Sequence, residues 1–456
     1  MTQSTRDMVD PECNSLPIGH VASTSTSAAD TMNSTLVNAI GGVRAAQAML
    51  EGLSYFANAF EIETVEKDRS PADDEVAAIT TAEKPAFSWR EAPSKGIVNC
   101  FLAVCEAVEP LLEAEPRCVP VTEPAHILGD LHGNYQDLLR FEQRLWPMGP
   151  NFGPGNLVFL GDYVDRGQFS FEVVAYLLSQ KVLSPQKVVL LRGNHEIRYV
   201  NRQTDFRRQC QNKFGLYLGG KVWQAANRVF EFMPLAAVVD GKIFCAHGGV
   251  PNPSLYRSGV GKSFWGGKPS DKTCTGVVEA INRLAVPLPL TAESKTTDPL
   301  AWSLLWNDPI APSQPEYDQS TLDKYGFAPN TLRGSAQFFT KAAVEEFLSE
   351  HGFSQLVRAH QHKMDGFRLE FSSRLLTVFS SSSYCGYDNN AACVLAASQK
   401  LRLIRLSFSN SNSNLRANHS TPPARRKRKL SISDDQQADD EEGESIFERL
   451  TKSERK

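Results

Sequence analysis

Three stretches of the chain share one pattern: a short apolar run that breaks into small, polar and charged residues, then apolar positions at helical spacing. They are AHILGDLHGN (125–134), NLVFLGDYVDRG (156–167) and KVVLLRGNHE (187–196). Runs this short, closed by Gly, read as buried strands. Helical spacing follows over about 135–146 and 170–182. The repeated strand, loop and helix predict a mostly parallel sheet, with chemistry gathered beyond the carboxyl ends of its strands. Ahead of them, IVNCFLAVCEAVEPLLEAEP (97–116) predicts a long amphipathic helix stopped by Pro116.

The second half has another rhythm. LAAVVDGKIFCAHGG (235–249) predicts a hairpin turning at Asp240 and Gly241. FRLEF, LLTVFSS and ACVLAASQKLRLIRLSF add strands at short spacing, hence a second, more antiparallel sheet. Residues 252–300 predict a long surface insertion. Residues 35–60 show helical spacing weakened by Gly41 and Gly42, which fits a helix that docks or binds a partner.

The ends read differently again. Residues 1–33 are rich in Ser, Thr and Ala, and 62–84 are acidic and polar. Beyond 409 the chain is Ser/Asn-rich, then basic (Arg425 to Lys429), then acidic (Asp434 to Glu444). The first and last of these stretches predict disorder, and 62–84 a linker. The expected organisation is an extension over 1–86, a catalytic domain over 87–408 and a tail over 409–456.

Composition narrows the class. With 456 residues and 41% hydrophobic content the chain can bury a large core. A formal charge of −4 argues against a generic nucleic-acid binder. Nine scattered cysteines without CxxC spacing argue against a disulfide framework or zinc module and suit a reducing compartment. Neither a signal-peptide pattern nor a run of about 18 apolar residues is present, so the expectation is a soluble cytoplasmic or nuclear protein with no membrane partner.

The polar strand ends change that picture most. The first supplies Asp130 and His132, the second Asp162 and Asp165, the third Asn194 and His195. The hairpin brings His247, and VRAHQH (357–362) brings His360 after another apolar run. Taken singly, Asp-x-His after a strand is more often a loop than a ligand. So many strand ends with ligand-type residues flanked by Gly are hard to produce by chance. His126, His351 and His362 lack this context and read as structural, while His20 and His419 fall in the terminal segments. Oxygen and imidazole donors without thiolate suit Mn, Fe or Zn. A carboxylate bridging two such cations about 3.5–4 Å apart would make a centre that generates hydroxide near neutral pH and clamps a phosphoryl group.

GDLHGNYQDLL, GDYVDRG, LLRGNHE, CAHGG, LLWNDP, VRAHQ and SYCG, in this order, resemble the motif series of the serine/threonine phosphoprotein phosphatases, most nearly a divergent protein phosphatase 1-like member. The likeness runs over about 97–408. It implies the calcineurin-like metallophosphoesterase fold, an α/β fold of two packed mixed β-sheets flanked by helices. By the resemblance Asp130, His132 and Asp162 hold one metal, and Asp162, Asn194, His247 and His360 hold the second. His195 is the general acid, oriented by Asp165. Arg166, Arg333 and Tyr384 bind phosphate, and Trp306 and Asp308 line the site. The implied reaction is hydrolysis of phosphoserine and phosphothreonine by direct attack of a metal-activated hydroxide. Phosphoprotein substrates and regulatory or targeting subunits are the implied partners. Arg192 and Glu196 read as support for the loop.

The chain departs from the family pattern at Ser381-Ser382-Ser383, in a shorter segment after Gly386, at Asn134, and in a longer stretch between His247 and Asp308. In the tail, TPPARRKRKLS (421–431) resembles the TPPR tail of protein phosphatase 1, which marks Thr421 as a candidate phosphosite and the basic run as a candidate nuclear-import signal. Two rival readings share many of these features: a metallophosphoesterase acting on nucleotides, and a catalytically silent scaffold with the same fold. Arg333 and Tyr384 argue against the first, and the intact ligand set with His195 against the second.

Overall fold

A computed structural model of the protein describes residues 40–54, 94–257 and 276–406. By its internal contacts the chain divides after Ile40, and every element named below belongs to the unit Gly41–Lys456. Among the described residues the strands are β1 (Cys118–Val121), β2 (Ala125–Leu128), β3 (Asn156–Phe159), β4 (Val188–Leu190), β5 (Ala236–Val239), β6 (Ile243–Ala246), β7 (Asp308–Pro309), β8 (Phe327–Pro329), β9 (Gln337–Phe339), β10 (Gln355–Arg358), β11 (Phe367–Glu370), β12 (Leu375–Val378), β13 (Ala391–Ala397) and β14 (Lys400–Leu406).

The three apolar runs form β2, β3 and β4, paired parallel as their alternation with helices requires. Each strand is apolar on both faces, and the period of two sorts its residues. Leu128, Leu157, Phe159 and Leu190 join the core beneath the helices. Ile127, Val158, Leu160 and Val189 join another core with Val239, Val357 and Val378 of the second sheet. The two sheets therefore pack face to face, with a further core on the far side of the second sheet holding Phe244, Leu304, Phe347 and Leu356. The helices Tyr135–Leu145, Ser170–Leu183 and Ser94–Glu113 match the predicted spacing.

The second sheet has the order β1-β5-β6-β10-β12-β11. Only the β5–β6 hairpin and the β11–β12 pair are antiparallel; β1–β5, β6–β10 and β10–β12 run parallel. β13 and β14, expected in this sheet, instead extend the first one, where β13 pairs antiparallel with β2. Short apolar strands do not carry their partner's address, so residue pattern alone could not assign them. Asp240 and Gly241 do form the hairpin turn, both at positive φ (50° and 67°). A small third sheet, β7-β9-β8, adjoins the site.

Two further expectations sharpen. Residues 41–54 are helical, with Ala46, Met49 and Leu53 buried in the same core as Val104 and Val108. A Cβ added at Gly42 would lie 2.4 Å from Ala107 Cβ, so the glycine that weakened the helix reading is what lets this helix approach its neighbour. Residues 276–300 are not merely a surface insertion, for Val277, Ile281, Leu288 and Leu290 are buried. Their backbone is gripped by two buried guanidinium groups: Arg117 donates to Ala285 O (3.0 Å) and Arg192 to Leu288 O (2.6 Å). Residues 258–275 lie outside the described residues, as do Thr421, the basic run and the terminal segments expected to be disordered. No helix among the described residues is long and apolar enough to cross a membrane.

Candidate active site

The loops after β2, β3 and β4 are tied to one another by backbone. Leu131 N and His132 N donate to Asp162 O (3.0 and 2.8 Å), and Gly133 N donates to Tyr163 O (2.9 Å). The fully buried Glu196 then gathers the second and third loops: its carboxylate accepts from Asp162 N (2.7 Å), Tyr163 N (2.8 Å) and Gly193 N (2.9 Å). The Arg192 guanidinium donates to Glu196 O (3.1 Å). These two charged residues are thus loop supports. A Cβ at Gly193 would fall 2.3 Å from Asp162 Oδ1, so the approach of the two loops depends on glycine there.

Within this frame His132, Asp162, Asp165 and Arg166 all have positive φ (42°, 55°, 71° and 68°), as has His360 (69°) on the other side. Non-glycine residues in that region cost roughly 1–3 kcal/mol each and persist where surrounding bonds over-determine them, typically at functional sites. His195 donates its backbone N–H to Asp162 Oδ1 (2.9 Å) and sets its ring Nδ1 2.7 Å from Asp165 Oδ2. Asp165 Oδ1 in turn accepts from Asp205 N (3.0 Å) and Phe206 N (2.7 Å), at the start of the Phe206–Phe232 helix. The helix terminus favours the carboxylate as an anion.

The second sheet closes the site from the other side. His247, at the end of β6, and His360, after β10, bring ring nitrogens within 3.1 Å of each other (Nε2 and Nδ1). Ala359 N donates to His247 O (3.0 Å), and His360 N donates to Asp130 Oδ1 (2.9 Å), joining the two sheets across the centre. Asp308 is buried between Arg333, with which it forms a close ion pair, and Arg358 Nη2 (3.0 Å). Trp306 meets His360 edge-on, with centroids 5.7 Å apart. Tyr384 lies over the centre with its ring stacked on His132 (5.3 Å, 29°).

Donor atoms converge in two groups that share Asp162: one with His132 and His195, the other with His247 and His360. Asp130 stands beside both, its oxygens 3.9 Å from His132 Nε2 and from His247 Nδ1. His132 Nδ1 is 2.9 Å from Val164 O and His247 Nδ1 is 3.1 Å from Leu160 O. Donation to those carbonyls leaves each Nε2 lone pair facing Asp162, at 3.5 and 3.3 Å. Asn194 Oδ1 sits 2.8 Å from His247 Nε2; turned over, its NH2 would donate there and to His360 Nδ1 at 2.8 Å. Lone pairs meeting from a carboxylate, two imidazoles and an amide are what a cation requires.

The electrostatics agree. Burial, reinforced by the Asp162 charge, pushes Asp130 up to about 6. Burial also opposes the charge on Asp162, yet the neighbouring His247 and His195 hold it well below the usual carboxylate range. Burial drives His132 down to about 3 and, with Arg333 and His247, holds His360 far below its ordinary value, so both rings are neutral as ligands must be. His195 goes the other way: burial works against its charge, but Asp162 and Asp165 outweigh it and raise the imidazole. Burial keeps the Tyr384 phenol protonated and able to donate. Arg166 lies close enough to disfavour positive charge on both His132 and His195.

All the residues singled out in the catalytic region of the sequence meet here; Thr421 lies outside the described residues. The sequence reading missed the polar clamp beneath Tyr384. Asn389 Oδ1 accepts from Tyr384 N (2.8 Å) and its Nδ2 donates to Ser381 O (2.8 Å). Asn134 Nδ2 donates to Ser382 O (3.1 Å), and Asp137 Oδ2 accepts from Ser382 N (2.6 Å). The clamp touches the departures at Asn134 and Ser381–Ser383, and those departures were the available signal. His362, set aside as structural, stacks on the other face of the Tyr384 loop (5.6 Å, 23°).

Residues 124–364, just over half of the chain, match the family model for calcineurin-like phosphoesterases. The serine/threonine-protein phosphatase BSL2 of Arabidopsis thaliana is 33% identical over 308 residues, 67% of this chain but only 27% of that protein. The serine/threonine-protein phosphatase PP1-1 of Saccharomyces cerevisiae is 32% identical over 304 residues, covering 66% of this chain and 83% of the relative. A solved yeast serine/threonine phosphatase with similarity to human PP5 shares the fold, with a TM-score of 0.54 at 22% identity over 69% of this chain and 90% of that one. With strand-end carboxylates and imidazoles arranged as described, the chain belongs to the calcineurin-like phosphoesterase family, among its serine/threonine protein phosphatases.

Proposed function

We propose that the chain hydrolyses phosphoserine and phosphothreonine in proteins at this centre. The observation that carries the reading is the His195–Asp165 pair, at 2.7 Å, set beside a buried carboxylate that two donor groups share. Two divalent cations (Mn, Fe or Zn) fit the donor set, with Asp130, His132 and Asp162 holding one and Asp162, Asn194, His247 and His360 the other. Bound there, they would supply hydroxide near neutral pH and offset the charge of the phosphoryl oxygens. The carboxylates that raise His247 would equally favour a cation in place of the proton.

His195 also falls within one donor group, but Asp165 occupies its Nδ1 and, together with the Asp162 charge, favours its protonated form, which suits an acid better than a ligand. Its task is to protonate the departing serine or threonine oxygen, a poor leaving group as an alkoxide. Arg166 and Tyr384 both stand beside His132 and would grip phosphate oxygens. Arg333, steadied by Asp308 and by His360 O (3.4 Å), would present its remaining N–H groups to the phosphate.

The test is a phosphoserine peptide assayed with Mn²⁺ beside a dinucleotide polyphosphate, with wild type and His195→Ala. The expected result is peptide hydrolysis that falls about 10²–10⁴-fold in the variant at unchanged metal content. Cleavage of the dinucleotide alone would overturn the reading, and inactivity on both with metal bound would favour a scaffold. Cytoplasmic or nuclear residence and recognition by regulatory subunits are proposed from the sequence and the family. Thr421 is proposed as a phosphosite, to be checked by mass spectrometry of protein taken from cells; a peptide that is never modified sinks the idea.

A further inference from the structure

The turn that carries Tyr384 is an unstable piece of backbone. Ser383, Cys385 and Gly386 have φ of 51°, 50° and 93° and all three are exposed, while Tyr384 is half-buried. Something outside the turn must hold the phenol in place. The Asn389 amide accepts from Tyr384 N and the Asp137 carboxylate from Ser382 N, which holds the backbone at and before the turn. The ring itself is held by other rings.

Four rings form a column across the mouth of the centre: His132, Tyr384, His362 and Tyr387. Tyr384 stacks on His132 at 5.3 Å (29°) and on His362 at 5.6 Å (23°), and Tyr387 covers His362 at 5.0 Å (31°). Phe379, from the end of β12, stands edge-on against Tyr384 (5.1 Å, 80°) and His362 (5.4 Å, 87°) and walls the column. The inner ring belongs to a proposed metal ligand, and the outer one to the segment after Gly386 that departs from the family pattern.

We infer that His362 is a positioning residue for the reaction: its ring fixes the Tyr384 phenol over His132, so that the hydroxyl meets the phosphate oxygens in one orientation. Without His362, Tyr384 keeps one stacked face and its turn can swing outward. The inference rests on the reading that Tyr384 contacts phosphate.

The experiment uses the full chain loaded with Mn²⁺, with inorganic phosphate as competitive inhibitor and a phosphoserine peptide as substrate. His362→Ala should raise the phosphate inhibition constant and lower kcat/KM by roughly three- to tenfold, the scale of one stacked aromatic pair. His362→Phe, which keeps a flat ring, should restore both to within about twofold by the same stacking. Metal content and melting temperature are measured on every variant. In a Tyr384→Ala background, His362→Ala should add no further loss, because the pair acts as a unit. An unchanged inhibition constant in His362→Ala, a failure of His362→Phe to rescue, or additive losses in the double variant overturns the inference. If Tyr384→Ala alone leaves phosphate inhibition intact, the assignment of Tyr384 fails, and the inference with it; losses in Tyr384→Ala without losses in His362→Ala sink only the inference.

Discussion

The two walls of the centre are built by different means. The wall from the first sheet carries Asp130, His132, Asp162, Asp165, Asn194 and His195 on three successive strand ends, and backbone hydrogen bonds together with Glu196 lock the loops together. The opposite wall carries His247 and His360 from the second sheet, Arg333 from the β8–β9 connection of the small third sheet and Tyr384 from the β12–β13 connection, four separate segments of the chain. Side chains hold much of it: Asp308 between Arg333 and Arg358, Asn389 under Tyr384, the ring column above. A wall locked by backbone should fail together. One held by side chains should weaken by degrees and in substrate binding first.

The largest effect should come from Glu196→Ala. Three buried N–H groups lose their acceptor, each worth about 1–3 kcal/mol when left unmade, so urea denaturation should show a loss of about 3 kcal/mol or more. A stable, metal-loaded Glu196→Ala protein would break the contrast between the walls. Next is Asp165→Asn, which tests the chemistry of the locked wall without unfolding it. An acid must be protonated, so activity falls as pH rises through the pKa of His195, which Asp162 and Asp165 hold above its ordinary value. Removing the Asp165 charge lowers that pKa, so the alkaline limb of the pH–rate profile should move to lower pH, with kcat reduced. A limb that stays in place would mean that another group sets it. The smallest effect belongs to Asn389→Ala on the other wall. Losing the three hydrogen bonds of its side chain should raise KM or the phosphate inhibition constant by roughly two- to tenfold, with a smaller fall in stability than in Glu196→Ala.

The same contrast explains which parts were legible. The locked wall is local in sequence: each ligand-type residue follows an apolar run, so period and punctuation reveal it. Arg192 and Glu196 could be read as supports from that context, and the structure gives each its buried partners. On the other wall His247 and His360 also follow strands and were found. Asn389 and Asp137 do not, His362 lies two places beyond His360 with no flanking glycine, and nothing local distinguishes the three from ordinary loop or helix residues. Their roles exist only because β12 and β13 deliver the Tyr384 turn between them. The placing of β13 and β14 in the first sheet was illegible for a related reason. Strands that are apolar on both faces can pair with almost any edge, and the choice is made by closure of the whole sheet.

By itself the sequence determined the parallel β2–β3–β4 unit, the hairpin turn at Asp240 and Gly241, the ligand-type residues at the strand ends and, through its motif series, the family. These are consequences of local period, of glycine and of donor chemistry. The resemblance already put Asp162 in both ligand sets; tertiary structure alone decided how closely the two donor groups meet there, that Asp308 is held between two arginines, and that a histidine two places beyond His360 stacks on Tyr384. Those depend on contacts across more than a hundred residues of chain or on how loops close, and no local pattern encodes a distance.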